Sequence, residues 1–163
     1  LHPTLRRQRQ MCIRDSRGSV CMSLGYQKNK TSILIPMRSL NEGKTRLSNL
    51  LSPSKREKLI KLLFTQLLKK LKSLKNQFPL IFSDILVITP CEEVEKISKD
   101  FHVHVLKEQI LNGLNSAVNK GICWSSENLY DSCLILPGDI IDPETEDIKK
   151  ILEMGKKLSL IHI

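Results

Sequence analysis

Aromatic residues, cysteines and uninterrupted apolar runs are all scarce in this sequence. Aromatic side chains make up 4% of the 163 residues, and the five cysteines show no CxxC spacing. This cysteine usage argues against a disulfide framework and predicts a reducing, cytoplasmic compartment. The longest apolar stretch, PLIFSDILVIT (79–89), is interrupted by Ser83 and Asp84. It is too short to cross a bilayer, so the sequence predicts no membrane-spanning segment and no membrane partner.

Acidic residues are also few, and the positive charge is unevenly distributed. The chain has 26 Lys and Arg against 17 Asp and Glu, a formal net charge of +9. Residues 1–21 hold five arginines and one aspartate, so they supply four of these nine net charges. The other five are spread over lysine-rich helix faces, which is weak evidence for a nucleic-acid surface. We therefore expect no nucleic-acid partner.

Both ends of the chain differ from its body. Residues 1–21 show no apolar period, and an Arg-rich, acid-poor leader is also the pattern of a transit peptide. The strings MCIRDS (11–16) and LSLIHI (158–163), however, resemble translated sequencing-adapter read-through. We therefore expect a non-native leader over 1–21, a natural start at Met22 and a non-native end over 156–163. Residues 22–155 would then be the N-terminal two-thirds of one domain, and that fragment would be inactive.

Buried strands and amphipathic helices alternate along the body of the chain. Strands are predicted over 32–37, 84–90, 102–106 and 132–139, and helices over 53–75, 91–101 and 114–124, with another beginning near Glu144. Ser52 followed by Pro53 is a helix start, and leucines follow at helical spacing. Strands that alternate with helices predict an α/β fold with a mainly parallel sheet.

Cations gather directly after the first strand. Arg38, Lys44 and Arg46 surround Gly43, and a turn there can offer backbone N–H groups and fixed positive charge to phosphate groups. Asp139 follows the last strand, where a carboxylate can hold a divalent cation. Ligands bind outside the carboxyl ends of the strands in such sheets, so these residues predict a site for metal-bound polyphosphate. A solvated turn with incidental ion pairs is an equally good interpretation from composition alone.

Three segments carry a family resemblance when taken in order. PMRSLNEGKTRLSNLLSPSKREKL (36–59) resembles the first motif of the CofC-type 2-phospholactate guanylyltransferases, P-x-K-x-x-x-x-x-K-(S/T)-R-L followed by a helix opened with L-S-P. NGLNSAV (112–118) resembles the family's G-L-N-x-A segment, and LILPGDI (134–140) resembles its L-P-(A/G)-D-(I/L) metal motif. Their shared order and spacing are more specific than any one of them.

The resemblance implies a Rossmann-like, three-layer α/β/α nucleotidyltransferase of the GT-A and MobA kind, acting in coenzyme F-420 biosynthesis. Such enzymes join GTP to 2-phospholactate, phosphoenolpyruvate or 3-phosphoglycerate and release pyrophosphate. Carried over by position, Lys44 and Arg46 would grip the GTP phosphates, with Arg38 in the place of a lysine. Gly113 and Asn115 would contact the nucleoside, and Asp139 would bind Mg²⁺.

Several alternatives stay open at the level of sequence. The family's proline after the metal motif is absent, so Asp142 is either a further acid of the site or, as we favour, the N-cap of the next helix. His102 and His104 would lie on one strand face but lack a third ligand, and Trp124 and Tyr130 fit packing better than base stacking. Other functions compatible with these residues are a MobA-like or sugar-phosphate nucleotidyltransferase and a non-catalytic basic module. Neither the choice of acid nor a homo-oligomeric state can be read from the sequence.

Overall fold

The computed structural model describes residues 30–40, 44–108 and 113–158. Over these ranges, strands alternate with helices, as the hydrophobic pattern predicts. A 3-10 turn covers Thr45–Leu47. The strands and helices are β1 (Thr31–Pro36), α1 (Pro53–Gln77), β2 (Asp84–Thr89), α2 (Glu92–Asp100), β3 (His104–Lys107), α3 (Leu114–Glu127), β4 (Ser132–Ile135) and α4 (Thr145–Leu158).

The four strands form one parallel sheet in the order β3-β2-β1-β4. Strand β1 is central, and all six of its residues are buried. It pairs with β2 on one side, where Ile33 lies opposite Ile85, and with β4 on the other, where Ile33 lies opposite Leu134. A strand covered on both faces needs a continuous apolar run, which TSILIP supplies. The predicted α/β fold with a parallel sheet is confirmed.

Helices cover both faces of the sheet because its strand residues alternate between them. Leu34 and Leu86 point to one face and form a buried cluster with Ala117 of α3. Ile33 and Val87 point to the other face and join the larger cluster built with α1, α2 and α4. The result is three layers, with the carboxyl ends of all four strands along one edge.

Helix α1 is the largest contributor to the core. Pro53 stands at its first position, and the Phe78 N–H donates to the Leu74 carbonyl at its end, just before Pro79. Each buried apolar side chain on its inner face contributes roughly 1.5–3 kcal/mol. Those buried side chains are Ile60, Leu63, Phe64, Leu67, Leu68, Leu71 and Leu74. The lysines between them lie on the outer faces of the helix, as its sequence predicts.

Three local predictions are corrected. Strand β4 ends at Ile135 rather than at 139: the Leu136 N–H still donates to the Leu34 carbonyl, but the next donor along β1 would be Pro36, which has no N–H. His102 has a φ of 54° and lies in the turn before β3, so it does not share a strand face with His104. Asp142 does not cap α4: the helix begins at Thr145, and the Ile148 N–H donates to the Glu144 carbonyl.

A packed aromatic stack lies at the amino ends of the strands, opposite the carboxyl edge of the sheet. The ring of Trp124 lies between Tyr130 and His104, with centroids 5.5 and 5.3 Å away, in agreement with a packing role. The Tyr130 hydroxyl donates to Asp84 over 2.6 Å, and burial together with that carboxylate raises the pKa of Tyr130. None of the helices in the described ranges is long and apolar enough to cross a membrane.

The approach of α3 to the sheet yields a stability test. A Cβ added at Gly121 would lie 2.8 Å from Ile88 Cδ1 and 3.1 Å from Leu34 Cδ1, whereas a Cβ at Gly155 of α4 would meet nothing within 4 Å. Overpacking should make Gly121→Ala lower the free energy of unfolding by about 1–2 kcal/mol. Higher helix propensity should make Gly155→Ala raise it by about 0.5–1 kcal/mol. Urea unfolding measures both, and equal stabilisation by the two variants would contradict the close packing of α3.

Candidate active site

The loops that follow β1 and β4 enclose a cleft at the carboxyl edge of the sheet. They meet there because β1 and β4 are hydrogen-bonded neighbours running in the same direction. The cleft has a volume of about 250 Å³. Its lining includes Arg38 and Ser39 after β1, Gly138 and Asp139 after β4, and Ile60 of α1. It therefore combines charged loop residues with an apolar wall.

Gly138 lets the two loops approach one another. A Cβ at this position would lie 2.7 Å from the Met37 sulfur and 3.3 Å from Ile35 Cγ2. Any larger residue would require the Met37 side chain to shift or the two loops to move apart. The glycine of the PGD sequence therefore permits this close approach next to Asp139.

Lys44 and Asp139 form an ion pair across the two loops. Lys44 Nζ lies 3.3 Å from Asp139 Oδ2, and the two side chains are 23% and 37% exposed. A pair this open to solvent contributes at most about 1 kcal/mol to stability. Lys44 also has a φ of 54°, a left-handed conformation that costs a non-glycine residue roughly 1 kcal/mol. Stability alone does not account for a strained lysine in this position.

Arg38 and Gly113 are brought together on the α3 side of the same edge. A Cβ added at Gly113 would lie 3.9 Å from Arg38 Nη2. Gly113 has a φ of 89°, which glycine adopts readily, and it stands immediately before α3. The first turn of a helix leaves N–H groups without intrahelical partners, so an arginine at this point adds positive charge to an anion-attracting helix start.

The other predicted site residues lie near these pairs. Arg46 is exposed in the 3-10 turn that follows Lys44, and Asn115 is exposed in the first turn of α3. Gly43 lies outside the described residues. Asp142, whose role the sequence left open, is 74% exposed and forms an ion pair with Lys70 of α1.

One charge pair at this edge, with a buried carboxylate and a partly exposed lysine, was not anticipated from the sequence. Glu108 directly follows β3, its side chain is 3% exposed, and Lys120 Nζ of α3 lies 3.1 Å from its Oε1. In the sequence Glu108 resembles an ordinary loop acid. The alternation of side chains along a strand was the signal that could have revealed it. Glu108 stands two residues after Leu106, so its side chain should point to the same face of the sheet, the face covered by α3.

The carboxylate of Asp139 fits a magnesium site in which substrate phosphates and water supply the other ligands. The described residues contain no group of three or more His, Cys, Asp or Glu side chains that could hold a metal by themselves. Mg²⁺ is commonly bound through one or two carboxylates together with substrate phosphates and water. A single half-exposed carboxylate beside clustered cations is compatible with that arrangement, in which the metal arrives with a polyphosphate.

Comparison with known proteins identifies a family to which most of this chain is similar. Residues 31–162 match the model of the family described as "Guanylyl transferase CofC like". The 2-phospho-L-lactate guanylyltransferase of Methanosphaera stadtmanae is 36% identical over 129 residues, covering 77% of this chain and 53% of the relative. The 3-phospho-D-glycerate guanylyltransferase of Colwellia psychrerythraea is 32% identical over 123 residues, covering 76% and 56%.

A third relative, the 2-phospho-L-lactate guanylyltransferase of Methanobrevibacter smithii, is 28% identical over 130 residues, covering 80% of this chain and 54% of the relative. The chain thus spans about half the length of the curated relatives it matches. The family match covers most of the chain and includes all four strands. This chain belongs to the CofC-like guanylyltransferase family.

Proposed function

We propose that this chain carries the GTP-binding part of an enzyme that joins GTP to a phosphorylated three-carbon acid, with release of pyrophosphate. Relatives are named for 2-phospho-L-lactate and 3-phospho-D-glycerate, and phosphoenolpyruvate has the same combination of phosphate and carboxylate. The pathway we assign is coenzyme F-420 biosynthesis. Residues beyond these 163 would supply part of the acceptor site, because the relatives are about twice as long as the matched segment.

The observation that carries this proposal is the meeting of cations and a carboxylate at one edge. Lys44 and Asp139 lie 3.3 Å apart, and Arg38 stands beside the start of α3. Two anionic substrates must be brought together in guanylyl transfer, so their mutual repulsion is a large part of the barrier. Fixed cations and a preorganised helix start reduce that repulsion without any reorganisation during the reaction.

The reaction requires no nucleophile from the protein. An oxygen of the acceptor phosphate attacks the α-phosphorus of GTP, the new P–O bond forms in line, and the bond to the bridging oxygen of pyrophosphate breaks. Lys44 and Arg46 would neutralise charge on the departing phosphates, and Arg38 would hold the nucleotide near α3. Asp139 would hold Mg²⁺, which when bound supplies Lewis-acid stabilisation of phosphate oxygens.

The ion pair gives Lys44 and Asp139 a defined arrangement before substrate binds. In the free protein each compensates the charge of the other. Phosphate oxygens offer Lys44 a second anionic partner, and a divalent cation offers Asp139 a second cationic one. Because the exposed pair contributes little to folding, exchanging these partners costs the protein little.

We also propose a cytoplasmic location. Cys91, Cys123 and Cys133 are free thiols among the residues that the structure describes. Burial raises the pKa of Cys133, which keeps that thiol protonated and unreactive. Free thiols of this kind are the usual state in a reducing compartment.

Removing the Lys44 ammonium tests the phosphate contact. Lys44→Ala should weaken GTP binding by about 2 kcal/mol, the scale of one charge-assisted contact, and leave the melting temperature nearly unchanged. Calorimetric titration and thermal unfolding measure the two quantities. Lys58→Ala, on an exposed position of α1, removes the same charge and should bind GTP as the unchanged protein does. A Lys44 variant that loses stability but binds GTP normally would make the lysine structural.

Replacing Asp139 tests the metal role. Asp139→Asn keeps the size and one acceptor oxygen but removes the charge, so pyrophosphate release should fall about a hundredfold or more. The assay titrates Mg²⁺ with GTP and each acid, using the protein at the full length of its relatives. Asp142→Asn is the matched control and should retain activity, because Asp142 pairs with Lys70. Equal release by the Asp139 variant and the unchanged protein would remove this carboxylate from the site.

A further inference from the structure

The Glu108–Lys120 ion pair lies on the same edge of the sheet as the proposed GTP site. Glu108 is fixed at the end of β3, since its N–H donates to the Thr89 carbonyl over 3.0 Å. Its carboxylate is almost fully buried, whereas Lys120 is 40% exposed, so the pair has one protected partner and one open to solvent. A buried ion pair is weak evidence for stabilisation, because its desolvation cost offsets the attraction between the charges. A role in binding therefore explains the pair better than a contribution to stability does.

The spacing of the strands separates the Glu108–Lys120 pair from the proposed phosphate site by about the distance between the base and the phosphates of a nucleotide. Strand β3 is two strands away from β1 in the order β3-β2-β1-β4, and strands are spaced about 4.8 Å apart. The ends of β3 and β1 are therefore about 10 Å apart, comparable with the separation of base and phosphates in an extended nucleotide. The start of α3, with Gly113 beside Arg38, belongs to the same layer as Lys120.

The pair also has the hydrogen-bonding pattern that matches guanine. An ammonium group only donates and an ionised carboxylate only accepts. Guanine offers O6 as an acceptor next to two donors, N1–H and the 2-amino group. Adenine offers an amino donor where guanine has O6, and an acceptor at N1. An adenine base would therefore place its amino donor against the Lys120 ammonium and its N1 acceptor against the Glu108 carboxylate. These polar groups would be left unpaired in a partly buried site.

We propose that Glu108 and Lys120 select the guanine base, with the Glu108 carboxylate accepting from N1–H and the 2-amino group and Lys120 donating to O6. This assignment rests on the proposed function, since it takes GTP as the nucleotide bound at this edge. It gives the reaction a specificity determinant distinct from the phosphate-binding cations. The two residues contact different groups of the base, so each contact can be tested with a different nucleotide.

Nucleotides that lack particular groups of guanine separate the two contacts. Inosine triphosphate lacks the 2-amino group, and 2-aminopurine riboside triphosphate lacks O6 together with the N1 proton, while it keeps the 2-amino donor. Calorimetry on the full 163-residue chain should show GTP binding about tenfold tighter than inosine triphosphate, the value of one hydrogen bond. In Glu108→Gln that ratio should fall to within about twofold, because an amide cannot accept from both donors.

Lys120→Met provides the second measurement; it leaves the Glu108 side chain in place but removes the ammonium group paired with it. It should weaken GTP and inosine triphosphate by the same factor, about tenfold, and leave 2-aminopurine riboside triphosphate unaffected, since that nucleotide has no O6 to lose. Glu146→Gln is the matched control, because it breaks the Glu146–Lys149 pair on α4, away from β3 and α3, and all ratios should stay at their original values. Ratios of affinities are insensitive to a fraction of unfolded protein, which lowers all apparent affinities alike.

The outcomes separate this inference from the proposed function. Preferential GTP binding with ratios unchanged in Glu108→Gln and Lys120→Met would overturn the base-selecting role and leave a structural ion pair. Equal weakening of all three nucleotides in Lys120→Met would overturn the O6 contact. Absence of GTP binding by the unchanged chain would overturn the proposed function, and the assignment of Glu108 and Lys120 with it.

Discussion

The parallel pairing of β1 with β4 is the constraint on which the site depends. Thr31 lies opposite Ser132 in this pairing, so residues 101 positions apart in the chain become neighbours. Both strands end at the same edge, and the loops that follow them carry Lys44 and Asp139. Burial of β1 on both faces makes its register costly to change, because a slip by one residue would reverse the facing of every side chain. The core therefore determines how closely the cation and the carboxylate approach each other.

Much of this fold could be predicted from the sequence, for identifiable reasons. Strand β1 and helix α1 were predicted almost to their ends, because TSILIP is a continuous apolar run and Ser52–Pro53 is a local start signal. The end of β4 was overestimated, because the apolar run continues past Ile135, whereas the hydrogen-bonded ladder stops where Pro36 of β1 has no N–H to donate. Local geometry also decided against the Asp142 cap, since the α4 backbone begins its hydrogen bonding at Glu144.

The site was predictable only in part, because spacing along the chain does not report pairing across it. The motif residues Lys44 and Asp139 were each expected at strand ends, and the structure brings them within 3.3 Å. Their roles toward GTP and Mg²⁺ stay predictions. Lys120 appeared to be one more lysine on a helix face, and its partner Glu108 is 12 residues away on another element. Only the packing of α3 on the sheet reveals that pair.

The central claim is that this edge binds a guanine nucleotide. The most direct test is calorimetric titration of the chain with GTP, ATP and CTP in the presence of Mg²⁺, under identical buffer and salt. The account predicts that GTP binds at least about tenfold more tightly than either of the others, since unpaired polar groups penalise the wrong base. Equal affinity for all three nucleotides would contradict it and leave a site that recognises polyphosphate alone.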